Sequence, residues 1–437
     1  MISTKNKFKT IGLILVASVM VLSACNKELE EITGPAPVVP TGLSLTETLV
    51  ASPNDSLFYK ILARAGKLPL LSDKSKRFTI FSPDNAAIRS FINAATGGLI
   101  PPPAPESAYV AFINSILRPG QADTLVMYHI IPQSVPTSSI PTTFPNFPYP
   151  TLFNPAAALS PFARLDAYIS RRTNGAWKDN IPIIVPDIIT ANGVIHRIAA
   201  VTVPPSQLLL TRINTDTDLT YLRAAILRAD SGATISTVGS LQYFLGDVSI
   251  QLGANFTVFA PTNLAFQNVL YAAAFGVVRA QIFQFAYAQA IGAGATPAQA
   301  TAIANAAADT NAPAQTTLLV STPAIFSNPA LYPFLTATQV KGILFYHLLG
   351  VRAFTVNLPT TDTNIPTLLN AAISAHPGIS VKATFTGPFV SSATVKGLFN
   401  AAPSNILINP FPGGSSDQRF VNGVLHKIDQ VLIPAPF

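Results

Sequence analysis

The 437-residue sequence holds a single cysteine, Cys25, and only 11% of its residues are charged. One cysteine rules out an intramolecular disulfide, so every folded part must be held by packing and hydrogen bonds. It also removes thiolate clusters from the possible metal ligands. The five histidines and 20 acidic residues show no ligand-like spacing, so no metal or other cofactor is expected. No Gly-x-Ser-x-Gly elbow, phosphate-cradling glycine loop or dinucleotide fingerprint occurs, and Gly413-Gly-Ser-Ser-Asp417 reads as a plain loop. Carboxylate pairs of the glycosidase type meet only in the fold, and thinly spread acids give no local hint of one. No catalytic residue is assigned, and the chain is not expected to be an enzyme.

Charge excludes a second class. Formal net charge is +7, and three of the 27 basic residues (Lys5, Lys7 and Lys9) fall in the leader described below, so the remainder carries about +4. That balance, without a basic run, does not point to nucleic acid. What is abundant is apolar and turn-forming: 49% of residues are hydrophobic and 38 are proline. This suits large buried cores joined by many turns.

Residues 1–24 read as a signal peptide. Lys5, Lys7 and Lys9 precede an uncharged, mostly apolar run from Ile11 to Leu22, which is shorter than the roughly 20 residues a spanning helix needs. The run ends in Leu22-Ser23-Ala24-Cys25, which resembles a lipobox. The resemblance implies cleavage before Cys25, diacylation of its sulfur, and attachment to the membrane through lipid. Two or more acyl chains anchor stably where one does not. Residues 25–43 read as an extended, Pro-rich tether. Glu28, Glu30 and Glu31 just after the cysteine are similar to the surface-export signals of Bacteroidota lipoproteins, and equally fit a solvated linker. The expected location is therefore outside the cytoplasm, lipid-anchored to the outer membrane. The Ala-rich stretch Tyr271–Ala308 carries Arg279, several glutamines and glycines, so it is not read as a span.

Three blocks occur twice in the same order. Arg77-Phe-Thr-Ile-Phe-Ser-Pro-Asp-Asn-Ala-Ala-Ile88 is matched by Asn255-Phe-Thr-Val-Phe-Ala-Pro-Thr-Asn-Leu-Ala-Phe266. Leu125-Val-Met-Tyr-His-Ile-Ile131 is matched by Ile343-Leu-Phe-Tyr-His-Leu-Leu349, and Asn192-Gly-Val-Ile-His-Arg-Ile198 by Asn422-Gly-Val-Leu-His-Lys-Ile428. Shared order and identity mark a tandem duplication.

These blocks resemble the fasciclin (beta-Ig-H3/fasciclin) domain, with its "TVFAPTNEAF" segment, its Tyr-His segment and its closing "NGVIHxID…LLP". The resemblance spans nearly all of Leu45 to Pro434 if long insertions are allowed, and the first copy departs from it at Ala199. It implies an α+β fold: two tandem fasciclin-like domains, each a β-sandwich or wedge core flanked by helices, at 44–206 and 207–437. The second would contain the Ala-rich helical insertion.

The residues read the same way. Phe78–Phe81 and Phe256–Phe259 have strand composition, Pro83 and Pro261 end them, and Asp84 and Thr262 suit helix N-caps. Val340, Ile343, Leu344 and His347 share one helical face. Asn192-Gly193 and Asn422-Gly423 suggest hairpins with type I′ turns, preceded by partner strands at Ile181–Thr190 and Ile406–Pro410. In the Ala-rich segment Phe275, Val278, Ile282 and Phe285 form one stripe expected to pack on domain two.

His196 and His426 share strand faces with Val194, Ile198, Val424 and Ile428, so they are expected to be structural core hydrogen-bonders, with Arg197 and Lys427 facing solvent. In the fasciclin family the Tyr-His segment is implicated in adhesion. The resemblance thus implies partner binding by Tyr128, His129, Tyr346 and His347; alternatively, these residues lock the helix-to-strand junction. Trp177, flanked by basic residues, reads either as a stacking platform for sugars or as a hairpin pin. The expected function is non-catalytic binding or adhesion in the cell envelope, toward a surface protein or polysaccharide. The alternative is a structural or accessory lipoprotein of an outer-membrane complex such as a nutrient-uptake system.

Overall fold

The computed structural model describes residues 40–142, 144, 146–158, 160–246, 254–333 and 335–435. The expected signal peptide, the lipidation site Cys25 and the tether as far as residue 39 lie outside the described residues. Gly42–Phe437 form one compact unit, so both repeats belong to a single body.

In the first repeat the strands are β1 (Phe78–Pro83), β2 (Ile130–Ile131), β3 (Phe147–Pro150), β4 (Asp166–Arg172), β5 (Gly175–Lys178), β6 (Ile181–Thr190) and β7 (Gly193–Ile198). They form one seven-stranded sheet in the order β2-β1-β7-β6-β5-β4-β3. The second repeat contains β8 (Phe256–Pro261), β9 (Leu348–Leu349), β10 (Thr363–Ile365), β11 (Ile379–Thr386), β12 (Phe389–Lys396), β13 (Ser404–Asn405), β14 (Gln418–Phe420) and β15 (Gly423–Ile428). Here the strands divide into two four-stranded sheets, β14-β15-β8-β9 and β10-β11-β12-β13.

The duplication extends to register. β1 runs parallel to β7 with Phe78 opposite Gly193 and Pro83 opposite Ile198. β8 runs parallel to β15 with Phe256 opposite Gly423 and Pro261 opposite Ile428. Alternation along β1 sends Ile80 into a core with Leu57, Phe58, Ile61 and Ile88 of the surrounding helices, and Phe81 to the other face with Ile169, Ile183 and Ile198. In the second repeat Val258 packs with Leu222, Ile226, Phe266 and Leu344, while Phe259 packs with Val381, Val395 and Ile428. Both expected N-caps form: Ala87 N–H donates to Asp84 at 2.8 Å and Ala265 N–H to Thr262 at 3.2 Å.

Two expectations about the last strand need correction. The hairpin loops are Ala191–Asn192 and Val421–Asn422, since Thr190 pairs with Gly193 and Phe420 with Gly423. Neither asparagine has a positive φ, so the type I′ turn does not form. The glycines are required by closeness instead: a Cβ at 193 would lie 1.9 Å from the Phe78 carbonyl oxygen, and one at 423 would lie 2.4 Å from that of Phe256. Secondly, β6 occupies the expected Ile181–Thr190, but of Ile406–Pro410 only Ile406 forms a β-bridge, to Ile428. The first-repeat counterpart of that bridge is Ile183 opposite Ile198, where β6 carries two register shifts. In the second repeat the chain leaves the sheet at this point and returns as β14.

The Ala-rich segment is a helical hairpin, Asn263–Gly292 and Pro297–Val320. Its base joins the second repeat's core through Phe266, Leu270, Ala274 and Val320. Farther out, Val278 and Ala290 are buried on one helix and Ala300, Ala304, Ala308 and Ala312 on the other, while Phe285 is 67% exposed. Packing on the second domain therefore holds for the base of the hairpin and not for the whole expected stripe. The Asn263–Gly292 helix is long and apolar enough to cross a membrane by length and composition. Here it pairs with its neighbour, and Arg279 is 2.8 Å from Asp309 across the hairpin.

Candidate functional site

The polar residues shared by the two repeats converge on the paired central strands. His129 follows the Pro119–Tyr128 helix and His347 follows the Ala337–Tyr346 helix, each as its C-cap. The Nδ1 atoms lie 2.8 Å from the carbonyl oxygens of Leu125 and Ile343. The Nε2 atoms accept backbone N–H groups, from Thr202 at 3.2 Å and from Leu432 at 2.9 Å. A ring nitrogen that accepts carries no proton, so both rings are neutral with hydrogen on Nδ1. Burial drives His129 down to about 3, aided by the positive charge of Lys178, and His347 down to about 4.

His196 and His426 are the opposite tautomer. Their Nδ1 atoms each accept an N–H at 3.1 Å, from Asp187 and Asp417. Their Nε2 atoms donate at 2.9 Å to the carbonyls of Val135 and Ala353. Burial lowers both pKa values against the opposing pull of the nearby aspartates. With both nitrogens of all four rings engaged by backbone, none is free to ligate a metal or take a substrate proton. Among the described residues no group of three or more His, Cys, Asp or Glu could hold a metal ion.

Tyr128, His129, Tyr346 and His347 are each at most 1% exposed, which corrects the expectation of direct partner contact. Tyr346 donates to the Gly378 carbonyl at 2.7 Å and accepts from Leu398 N–H at 2.9 Å. Tyr128 lies under the Lys178 ammonium, 4.2 Å from its ring centroid. Arg197 and Lys427 do not face solvent as expected. Arg197 pairs with the buried Asp55 at 2.7 Å, and Lys427 with Asp216 at 2.9 Å and Asp218 at 3.2 Å. Each ties the last strand of its repeat to the opening helices.

From sequence, Asn192 and Asn422 are turn residues only, and Thr79 and Thr257 have no assigned role. Asn192 accepts Leu45 N–H at 2.8 Å and Asn422 accepts Leu209 N–H at 3.0 Å, pinning each repeat's first helix to its closing hairpin. Thr79 and Thr257 both bridge the loop after β2 or β9, accepting Val135 N–H and Ala353 N–H at 2.8 Å. These polar positions are repeated inside the duplicated blocks, which is the signal that could have found them.

The repeats meet through the β4–β5 hairpin. Trp177 is fully buried, so it is no stacking platform; its indole N–H donates to Pro388 of the second repeat at 3.0 Å. Its neighbour Lys178 is buried too, 3.2 Å from Asp179, which in turn lies 3.4 Å from Arg419 of the second repeat. Burial lowers Lys178 to about 8 in spite of Asp179. Thr202 accepts from Lys178 at 3.1 Å and contacts His129 at 3.0 Å, linking the first histidine to the junction. Leu432 stands in the corresponding place in the second repeat, so this link exists once. Among the surface hollows are an apolar groove of about 890 Å³ on the first repeat, lined by Phe91, Phe112 and Ile116, and a smaller polar cleft at the junction.

Residues 53–204 match the fasciclin domain family. The first repeat is therefore a fasciclin domain, and the fold as a whole is α+β with two fasciclin-like repeats. Fasciclin domains are known for cell adhesion and binding, and no catalytic family is indicated. No curated protein matches the chain. Among solved structures it is similar to a FAS1 domain pair from the insect cell adhesion molecule Fasciclin I, at 15% identity and a TM-score of 0.30, covering 86% of this chain and 95% of that one.

Proposed function

We propose that this chain is a non-catalytic binding or adhesion protein of the cell envelope, held by lipid on Cys25. In this reading two fasciclin-like domains, at 44–206 and 207–437, contact a protein or polysaccharide partner. The observation that carries the reading is the fasciclin domain at residues 53–204, in which the histidines best placed for chemistry are locked neutral by backbone groups. The lipobox-like Leu22–Cys25 and the acidic, Pro-rich tether support placement on the outer membrane.

Protease shaving of intact cells, beside a Cys25→Ala variant, tests the placement. The domains should be cleaved from cells carrying the wild type and lost from the membrane fraction in the variant. A binding screen of the full chain against matrix proteins and glycans tests the activity. Silence in the screen together with resistance to shaving would overturn the proposal. Stable crosslinking into an outer-membrane complex without free ligand binding would favour the accessory-lipoprotein reading.

A further inference from the structure

The polar cleft at the junction has a volume of about 260 Å³ and is formed by both repeats. Its floor is fixed by buried side chains. Asn146 donates to Asn357 at 2.6 Å, Asn357 donates to Ser170 at 2.8 Å, and the Asn357 carbonyl oxygen also accepts Phe354 N–H at 2.9 Å. Two cations on β4 line it, Arg171 and Arg172, and among the described residues no carboxylate does. The nearest acid in sequence, Asp362, is held by Lys382 at 3.7 Å. Arg172 is engaged, donating to the Leu358 carbonyl with its guanidinium 5.3 Å from the centre of the Phe385 ring. Arg171 differs: it is half-buried, its Nε is fully buried without a partner, and it makes no hydrogen bond or ion pair among the described residues.

A buried guanidinium nitrogen left unsatisfied costs free energy, and a fork of donors facing a cleft without anions is matched by an oxyanion. The rest of the lining narrows the ligand. Ser170, Asn146, Asn357 and the hydroxyls of Thr360 and Thr361 offer both donors and acceptors, which suits a hydroxylated body and not an acyl chain. The cleft is smaller than the roughly 300–1,000 Å³ typical of drug-sized ligands, leaving room for about one sugar ring. We infer that the junction cleft binds an acidic hexose unit, its carboxylate on Arg171 and its hydroxyls on the amide and hydroxyl floor. The inference rests on the binding-protein reading above and names the chemistry of the polysaccharide.

The test is ligand titration of the full chain in detergent, by calorimetry or saturation-transfer NMR, with glucuronate, glucose 6-phosphate and glucose as probes. Glucuronate should bind at least tenfold more tightly than glucose and weaken as salt is raised. Arg171→Gln should lower glucuronate affinity at least tenfold, and Arg171→Lys by less. Because Arg171 has no protein partner, both variants should keep the wild-type melting temperature, so loss of binding cannot be ascribed to misfolding. Equal binding of glucose and glucuronate, binding of glucose 6-phosphate alone, silence of all three sugars, or an unaffected Arg171→Gln variant would each overturn the site. Those results would leave cell-surface adhesion to be decided separately by shaving and the partner screen.

Discussion

Asp187 and Asp417 occupy the same left-handed turn in the two repeats, at φ 57° and 54°, each nine residues before the buried histidine that its amide contacts. Each carboxylate also holds a threonine. Asp417 accepts from the N–H and hydroxyl of Thr355, both at 2.7 Å, and Asp187 accepts from the same two groups of Thr137. The difference is burial, since the Asp187 side chain is 35% exposed and that of Asp417 only 3%.

Replacing Asp417 by alanine removes the short polar side chain that suits a left-handed position, a region in which any Cβ residue pays roughly 1–2 kcal/mol. It also orphans a buried N–H, for about 1–3 kcal/mol more. At Asp187 water can replace the carboxylate, so the expected loss is about half as large. Urea denaturation of Asp417→Ala and Asp187→Ala checks the order. Equal losses would contradict the role assigned to burial.

The four neutral histidines set the acid limb of stability. In the unfolded chain each titrates near 6.5, whereas His347 is held down at about 4 and His129 at about 3. The unfolded state therefore takes up protons first as pH falls. Stability is complete above about pH 6.5 and declines below it, by roughly 1 kcal/mol per pH unit for each such histidine until its folded pKa is reached. The urea midpoint should fall steadily from pH 7 to pH 4. His347→Gln should flatten that slope while lowering stability at pH 7, because glutamine does not titrate. A wild-type midpoint independent of pH over this range would refute neutral, buried rings.

How far the sequence exposes this framework depends on where each residue lies. The blocks around Phe78, Tyr128 and Asn192 are legible because both copies keep the residues that the paired central strands require. Asp187 and Asp417 share their spacing to the histidine, but they stand outside the blocks in segments of unlike length, and only the fold shows what they hold. The Ile406–Pro410 expectation failed for a related reason. β-propensity does not reveal that the strand breaks after Ile406, where Asp429 pins the short β13 through Ser404 at 2.9 Å and Asn405 N–H at 2.8 Å. The first copy has Ala199 in that place, beside an unbroken β6. Partner contact by Tyr128 and His129 was a family expectation, and burial is invisible to a motif. The junction cleft was not foreseen because its residues come from both repeats.

At the junction, Asp179 lies between Lys178 and Arg419, and it also accepts Tyr168 N–H at 3.0 Å. Asp179→Ala leaves a buried ammonium without its counter-ion and should cost about 3–5 kcal/mol. Lys178→Met retains Arg419 beside Asp179 and fills similar volume, so it should cost much less. Trp177, the only tryptophan, reports the same interface. Its emission should be blue-shifted in the native protein and move to the red in Asp179→Ala before the far-UV circular dichroism is lost. Simultaneous loss of both signals would show that the junction and the repeats unfold as one.

The closing hairpins give the sharpest test of the duplication. Gly193 and Gly423 sit at equivalent positions, and in both a Cβ would run into a backbone carbonyl; at 423 it would also meet the Leu209 side chain at 2.6 Å. Relief requires moving β1 away from β7, or β8 away from β15, and these parallel pairs are the centre of each repeat. Alanine at either position should therefore destabilise its own repeat by more than the roughly 1–3 kcal/mol of ordinary overpacking. The loss should be larger at 193, where the approach is 1.9 Å against 2.4 Å. Gly276→Ala is the control, because it lies in the Asn263–Gly292 helix with open space around its Cβ. That change should be neutral or mildly stabilising through helix propensity. Melting curves of the three variants decide the matter. If Gly193→Ala melts like Gly276→Ala, the close strand approach that defines both repeats is wrong.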